Sequence, residues 1–392
     1  MHSSMLLASA AVGQALLALA LLIARARTHL TYVPIAGLFA ALAVIAVQPI
    51  AQALSPDLAV LGVALLLPAY LSLGPLFWLY VVALTQPTPW RPLLRDLAHF
   101  VPVFVAIVAV ALIGALPAGT TQALVLRGED ASLFTGPDQK ALSFAGYLII
   151  TIFAMILFWL AQSFVYMFKT LRRLVAYRRQ LKDLFASNEQ RELTWILGVL
   201  VTTAAIWMLS AVGLITENFF DLRLVTPAQR SAVVLVLIGL LALWALRQKP
   251  GFAGRYLDRD EIDAASKYER SALDEQRSQR IVQKLQTAML NDQLYLQPGL
   301  SLPVVARHLG VSANYVSQTL NETLGQSFFD YVNAHRIDAA KPMLLDGQQA
   351  ILDIAYAVGF NARSSFYAAF KRATGQTPGQ FRKHARREVA AS

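Results

Sequence analysis

Apolar residues form long, nearly unbroken stretches through the first 250 residues and then give way to short amphipathic patterns. A helix needs about 20 mostly apolar residues to cross the hydrocarbon core of a bilayer. Stretches of about this length lie at 5–24, 32–54, 58–84, 97–117, 142–168, 194–216 and 230–248. They predict a membrane domain, residues 1–248, with about seven spans. Only three residues separate the second stretch from the third, so these two could instead form a re-entrant pair.

Composition agrees with this division. Hydrophobic residues make up 56% of the 392 residues and charged residues 15%, whereas soluble domains carry about 25% charged residues. The formal net charge of +10 suits nucleic acid, anionic lipid headgroups or cytoplasmic loops. The chain has no cysteine, which excludes disulfides, thiolate catalysis and cysteine-bound metals.

The lysines and arginines predict an orientation in the membrane. They predominate in the first, third and fifth connections between the apolar stretches, the fifth being densely basic from Lys169 to Arg191, whereas the fourth and sixth mix a few with acidic residues and the second has none. Because basic connections stay in the cytoplasm, we expect the N-terminus outside and everything after Arg247 in the cytoplasm of a bacterial cell, with the inner membrane as the location. The fifth connection could also contact DNA or lipid headgroups. Since no basic segment precedes the first stretch, we interpret it as a retained span.

The interiors of the apolar stretches carry essentially no charged residue. Ion-coupled transport usually requires buried charges, so a ligand of this bundle would be apolar or weakly polar. No spacing of His, Asp, Glu or Ser suggests catalysis, and no cofactor or metal is predicted. The histidines of the C-terminal part are interpreted as core or surface residues: His308, His335 and His384.

Residues 249–280 form a predicted connector. Pro250 and Gly251 end the last apolar stretch, and a balanced mixture of acidic and basic residues follows. The pattern is typical of a solvated helix. This segment could mediate dimerisation, transmit motion or serve as a passive spacer.

Residues 301–321 have the pattern of a helix-turn-helix. Ser301 can cap a first helix, Gly310 suits the turn, and Ser312 can cap a second helix. Val316 and Leu320, four residues apart, predict the buried face of that second helix. Hydrogen-bonding side chains, which suit base edges, are then predicted to point outward as DNA contacts: Asn314, Tyr315, Gln318 and Asn321.

The pattern recurs about fifty residues later. Gly359 provides a second turn, Asn361 is predicted to cap the following helix, and Phe366 and Phe370 to anchor it. Thr377 to Gln380 form a predicted capping box that opens a last helix. Arg363 is predicted to contact guanine, and Lys371 and Arg372 to contact phosphate. The other predicted DNA contacts of this unit are Asn361, Ser364 and Tyr367.

Residues 281–392 resemble the C-terminal DNA-binding domain of the AraC/XylS family of bacterial transcription regulators. The second motif carries most of the resemblance, through Val358-Gly359-Phe360, Phe370-Lys371 and Thr377-Pro378. The resemblance implies two helix-turn-helix units joined by a long helix, about residues 327–345, and some members of the family carry a multi-span bundle. A helix of that length measures roughly 27 Å, so one copy could read two successive major grooves.

Three departures from the family pattern affect the expected contacts. Gln318 is neutral where the family often has a basic residue, and Ala368 is apolar where it often has a polar one. Pro342 should kink or shorten the linking helix. From residue 281 onward, eleven Lys and Arg face seven Asp and Glu. This modest surplus predicts moderate affinity, so that binding could need paired copies, that is, a homodimer on tandem DNA sites.

The chain is therefore expected to be all-α, a polytopic helical bundle followed by a cytoplasmic domain of two helix-turn-helix units. The predicted function is membrane-embedded transcription regulation without enzymatic activity. Its expected partners are promoter DNA, the lipid bilayer, a ligand in the bundle and, if it is an activator as is common in the family, RNA polymerase. The alternatives are a membrane transporter or enzyme with a cytoplasmic regulatory domain, and a bundle that only anchors the DNA-binding domain.

Overall fold

A computed structural model of the chain describes residues 2–86, 90–114, 139–187, 193–220, 225–248 and 275–391. These residues are almost entirely helical, and the one strand-like feature among them is an isolated antiparallel bridge between Phe185 and Ser301. The predicted all-α class is confirmed. The chain divides into two compact units: residues 1–174 with 194–256, and residues 175–193 with 257–392.

The helices of the first unit coincide with the apolar stretches of the sequence. They are α1 (His2–Ala26), α2 (Val33–Leu54), α3 (Pro56–Thr85), the short α4 (Leu94–Leu97), α5 (Val101–Gly114), α6 (Gln139–Leu184, which enters the second unit at Val175), α7 (Thr194–Phe220) and α8 (Pro227–Arg247). Within the described ranges, six helical segments are long and apolar enough to cross a membrane, and α7 adds the shorter apolar stretch Trp195–Ala205.

Small residues bring the first helix close to its neighbours. One face of α1 is buried and follows the three- and four-residue spacing of a helix: Ala8, Ala11, Ala15, Ala18 and Leu22. This face packs against α2 and α8, and α3 packs against α2 and α5. Small side chains let helix backbones approach closely, which is the main source of packing energy between helices in lipid.

The outer surface of the first unit is apolar. Leu6, Phe104 and Ile150 are 72%, 68% and 66% exposed, and many other large apolar side chains of this unit are exposed as well. In the described residues of the second unit, few large apolar side chains are exposed. Because water-soluble surfaces rarely carry apolar patches of this extent, the surface of the first unit suits contact with lipid.

The second unit is built from shorter helices. After the end of α6 come α9 (Glu275–Leu290), α10 (Leu302–Leu309), α11 (Ala313–Gln318), α12 (Phe328–Asp346), α13 (Ile351–Ala357), α14 (Arg363–Thr374) and α15 (Pro378–Ala391). A 3-10 turn, Leu294–Leu296, precedes α10, and a π-helical turn, Thr319–Thr323, follows α11.

Helix α12 joins two separate hydrophobic cores. Phe328 and Val332 belong to the core around α9, α10 and α11, whereas Ala340 and Leu344 belong to the core around α13 and α14. The predicted range of 327–345 is therefore close to the observed Phe328–Asp346. Shortening at Pro342 was wrong, because the helix continues through this residue to Asp346. The buried side chains on both sides of the proline hold the last turn in place.

Two chain segments lie elsewhere than the sequence suggested. The residues assigned to the fifth connection continue α6 as far as Leu184, and those from Val175 onward belong to the second unit. Helix α9 buries Ser278 and Ile281 in the first core, so the folded C-terminal part includes residues from Glu275 onward. Most of the predicted connector, 249–274, lies outside the described residues.

Candidate nucleic-acid interface

The first helix-turn-helix unit consists of α10, a turn at Gly310, and α11. Gly310 has φ of +65°, a left-handed conformation that glycine adopts without strain. The Ser312 hydroxyl accepts a hydrogen bond of 3.4 Å from the backbone N–H of Tyr315 and so caps α11 as predicted. Ser301 occupies the N-cap position of α10, but its side chain makes no capping bond and is fully buried.

The exposed face of α11 differs from the prediction at one residue. Asn321, in the turn after the helix, is exposed, and Asn314 and Gln318 are partly exposed. Tyr315, predicted to point outward, is only 6% exposed. The guanidinium of Arg277 covers its ring at 4.2 Å from the centroid. The outward assignment of Tyr315 was therefore wrong, because the side chain packs between α11 and α9 in the first core.

The partly exposed polar side chains of the first unit are held by local hydrogen bonds. The Gln318 amide donates to the carboxylate of Glu322 at 2.9 Å, and the Asn321 amide donates to the hydroxyl of Ser317 at 3.4 Å. These bonds orient the side chains along the face that the sequence assigned to DNA.

The second unit consists of α13, a turn at Gly359, and α14. Gly359 has φ of +92°, and Phe366 and Phe370 are fully buried beneath α14 as predicted. Asn361 is not the cap: Ala362 occupies that position, and the Asn361 amide donates instead to the Pro298 carbonyl at 2.9 Å. The asparagine thus fastens the second turn to the loop before α10.

Helix α14 presents a basic, polar face. Arg363, Ser364 and Lys371 are exposed. The Arg363 guanidinium lies 4.9 Å from the ring centroid of the partly exposed Tyr367 and donates to its hydroxyl at 3.1 Å. The contact with the ring holds the planar guanidinium of Arg363 in one orientation, and a held guanidinium is suited to bidentate contact with a guanine edge.

The exposed Arg372, at the end of α14, forms an ion pair with Asp330 of α12 at 3.2 Å. Surface pairs of this kind are weak, worth about 0–1 kcal/mol. The arginine can therefore exchange its carboxylate partner for a phosphate at little cost. Helix α15 begins with the predicted capping box, in which Thr377 and Gln380 each bond the other's backbone N–H.

Arg336, at the middle of α12, joins the two units. Its side chain is fully buried. The guanidinium donates to the carbonyls of Tyr295 and Gln297 at 2.7 and 2.8 Å and lies 5.4 Å from the ring centroid of Phe360, in the second turn. This role of Arg336 was not predicted from the sequence. Its position was informative, because it is the central one of five buried residues that follow one another at a spacing of four: Phe328, Val332, Arg336, Ala340 and Leu344.

Two titratable groups beside this arginine are shifted by burial. Desolvation lowers the pKa of His335 from its usual 6.5, partly opposed by Asp338. Desolvation also raises the pKa of Tyr331 to about 12. The His335 ring stacks on Tyr295 at 6.2 Å and meets the edge of Tyr331 at 5.0 Å. A neutral imidazole is thus part of the packing between α12 and the 3-10 turn.

Comparison with known proteins agrees with this geometry. The family model described as "Helix-turn-helix domain" matches residues 305–384, and the C-terminal part of the chain accordingly contains a helix-turn-helix domain. An uncharacterized HTH-type transcriptional regulator of Staphylococcus aureus (strain COL) is 37% identical over 90 residues, which are 23% of this chain and 12% of that protein. The melibiose operon regulatory protein of Escherichia coli (strain K12) is 34% identical over 84 residues, 21% of this chain and 28% of that protein.

Two solved structures also match a part of the chain. A protein of unknown function from Listeria innocua is 30% identical, with a TM-score of 0.24 and coverage of 26% of this chain and 95% of that one. The C-terminal domain of AraT, a response regulator from Geobacillus stearothermophilus, is 31% identical, with a TM-score of 0.25 and coverage of 29% and 88%. This chain spans less than a third of the length of the two curated relatives.

Proposed function

We propose that the protein is a membrane-embedded transcription regulator that binds promoter DNA through its two helix-turn-helix units. The main support is the arrangement of the C-terminal unit: two helix-turn-helix cores share the single helix α12, and Arg336 joins the loop before α10 to the turn of the second helix-turn-helix unit. The matched family is a helix-turn-helix domain, and the relatives carry the names of a transcriptional regulator and an operon regulatory protein. A module of this build reads DNA rather than catalysing a reaction.

The proposed DNA contacts are divided between the two helix-turn-helix units, which α12 holds apart. Helix α12 has 19 residues and is therefore roughly 28 Å long, close to the ~34 Å repeat of successive major grooves. We assign base contacts to Asn314, Gln318 and Asn321 of the first helix-turn-helix unit and to Arg363 and Ser364 of the second helix-turn-helix unit. Lys371 and Arg372 hold phosphate.

The apolar unit of the chain, residues 1–174 with 194–256, supplies the membrane location. Its apolar outer surface and its six candidate spans support a bundle in the inner membrane, and the basic connections favour an external N-terminus and a cytoplasmic DNA-binding domain. The proposal includes an apolar or weakly polar signal sensed in the bundle, a second copy of the chain on tandem sites and, for activation, contact with RNA polymerase.

The proposal is tested by crosslinking the tagged, full-length protein to DNA in its own cell and sequencing the recovered fragments. Discrete promoter sites are expected. Arg363→Ala should weaken binding at these sites by roughly 1–3 kcal/mol, the usual contribution of a bidentate base contact. Lys341→Ala is the matched control, because Lys341 is a partly exposed cation on α12 that pairs with Asp338 and lies outside both recognition helices.

Retention of the sites in Lys341→Ala and their loss in Arg363→Ala would support sequence-specific reading by α14. Uniform, sequence-independent recovery by all three proteins, or no recovery by the unmodified protein, would contradict the proposed function.

A further inference from the structure

We propose that residues 175–187, the last turns of α6 and the three residues after it, form a regulatory clasp whose docking in the DNA-binding module fixes the two helix-turn-helix units in the arrangement that binds DNA. This inference rests on the proposed function. It adds a control element to it: the helix that carries the clasp also carries one of the apolar candidate spans, which begins at Ile150. Displacement of that helix would then release the clasp and weaken binding.

The last residues of the clasp are buried in the module, although their partners there lie more than a hundred residues later in the sequence. Leu181 and Ala186 are fully buried and Phe185 is 5% exposed. The N–H of Ala186 donates to the carbonyl of Leu300 at 3.1 Å, and Phe185 pairs with Ser301 as an antiparallel bridge. Backbone pairing of this kind is how an extended segment adds to a receptive edge.

The docked segment also supplies acceptors to the arginine that joins the two units. One guanidinium nitrogen of Arg336 donates to the Ala186 carbonyl at 3.4 Å and to the Ser187 hydroxyl at 3.2 Å. The amide of Asn333 donates to the same Ala186 carbonyl at 3.3 Å. Because buried donors without partners are costly, release of the clasp leaves two side chains of α12 to find new ones.

Arg336 transmits this change to both units. Its other nitrogens bond the carbonyls of Tyr295 and Gln297, and the turn of the second unit lies directly on that loop: a Cβ added to Gly359 would be 2.6 Å from the Tyr295 carbonyl oxygen. The docked clasp, the loop before α10 and the second turn thus meet around one guanidinium. A docked clasp preorganises the module, and preorganisation strengthens binding.

The first experiment compares two identical substitutions on the clasp. Ala186→Glu places a charge at a fully buried position, whereas Ala176→Glu places it at an exposed position of the same clasp. The full-length variants are reconstituted in lipid vesicles and titrated with DNA fragments recovered by crosslinking of the unmodified protein. We expect Ala186→Glu to bind these fragments roughly 5- to 150-fold more weakly, the usual range of coupling between sites, and Ala176→Glu to bind as the unmodified protein does.

A disulfide provides the second, reversible test. The chain has no cysteine, and directly opposed residues of an antiparallel pair have Cα atoms about 4.5–5.5 Å apart, within the range that a disulfide spans. The double variant Phe185→Cys, Ser301→Cys should bind DNA as tightly as the unmodified protein when oxidised and more weakly when reduced.

Equal affinities of Ala186→Glu and Ala176→Glu, or an oxidised double variant that binds no better than its reduced form, would overturn the clasp while leaving the proposed function intact. If the unmodified protein recovers no specific fragments, the proposed function itself fails and the clasp with it.

Discussion

Replacement of Gly359 by alanine should separate the second helix-turn-helix turn from the loop on which it lies. Gly359 has φ of +92°, and an added Cβ would lie 2.6 Å from the carbonyl oxygen of Tyr295 and 2.8 Å from that of Leu296. Both obstacles are backbone atoms, so the clash cannot be relieved by a side-chain rotation. Either the turn or the loop has to move.

Gly310, the turn of the first unit, is the matched control. Its φ is +65°, and a Cβ added there would meet no heavy atom within 4 Å. Gly310→Ala therefore carries only the left-handed strain, about 1–2 kcal/mol. Gly359→Ala adds overpacking of about 1–3 kcal/mol. Gly359→Ala should thus be more destabilised than Gly310→Ala by about 1–3 kcal/mol, which corresponds to a change of about 5- to 150-fold in the opening equilibrium.

Hydrogen exchange of the full-length protein in lipid nanodiscs measures this difference directly. Amides of α13 and α14 report opening of the second core, and amides of α10 and α11 report opening of the first. Gly359→Ala should speed exchange in its own unit more than Gly310→Ala does in the other. Equal acceleration in the two variants, or unchanged protection of α14 in Gly359→Ala, would refute the packing argument.

Two further predictions concern groups at the edges of the first core. Burial lowers the pKa of His335, so the folded state favours the neutral ring; this stabilisation is complete above about pH 7 and is lost as the pH falls through 6.5, the unfolded value, toward the lower folded-state pKa. His335→Gln should flatten the pH dependence of amide protection in α12 over that range, and an unchanged slope would count against it. Arg277→Ala removes the cation over Tyr315, worth about 0.5–1 kcal/mol, and should speed exchange in α11 by about two- to fivefold; unaltered protection would show that the contact contributes nothing.

Local sequence patterns were sufficient for most of the elements. The apolar stretches located the helices of the first unit, and glycine at 310 and 359 marked the two turns because both positions need positive φ. Ser312 and the Thr377–Gln380 pair were recognisable as caps because a cap bonds a backbone group only three residues away.

The errors occurred where distant parts of the chain compete with local preference. Asn361 has the residue type of a cap, yet its amide bonds the carbonyl of Pro298, 63 residues earlier. Tyr315 occupies an outward position on a helical wheel but is covered by Arg277 of α9. The docking of Ala186 on Arg336, 150 residues away, has no local signature, because a short apolar segment after a basic helix resembles any other connection.

We propose that one chain both resides in the membrane and reads specific DNA on the cytoplasmic side. This proposal is tested most directly by incubating sealed membrane vesicles of either orientation, prepared from cells that contain the protein, with a fragmented genomic library. Inside-out vesicles should retain a small set of discrete fragments, and right-side-out vesicles should retain none of them. Inside-out vesicles with Arg363→Ala should retain less of each fragment. Equal retention by both orientations, or no enrichment by inside-out vesicles, would contradict the account.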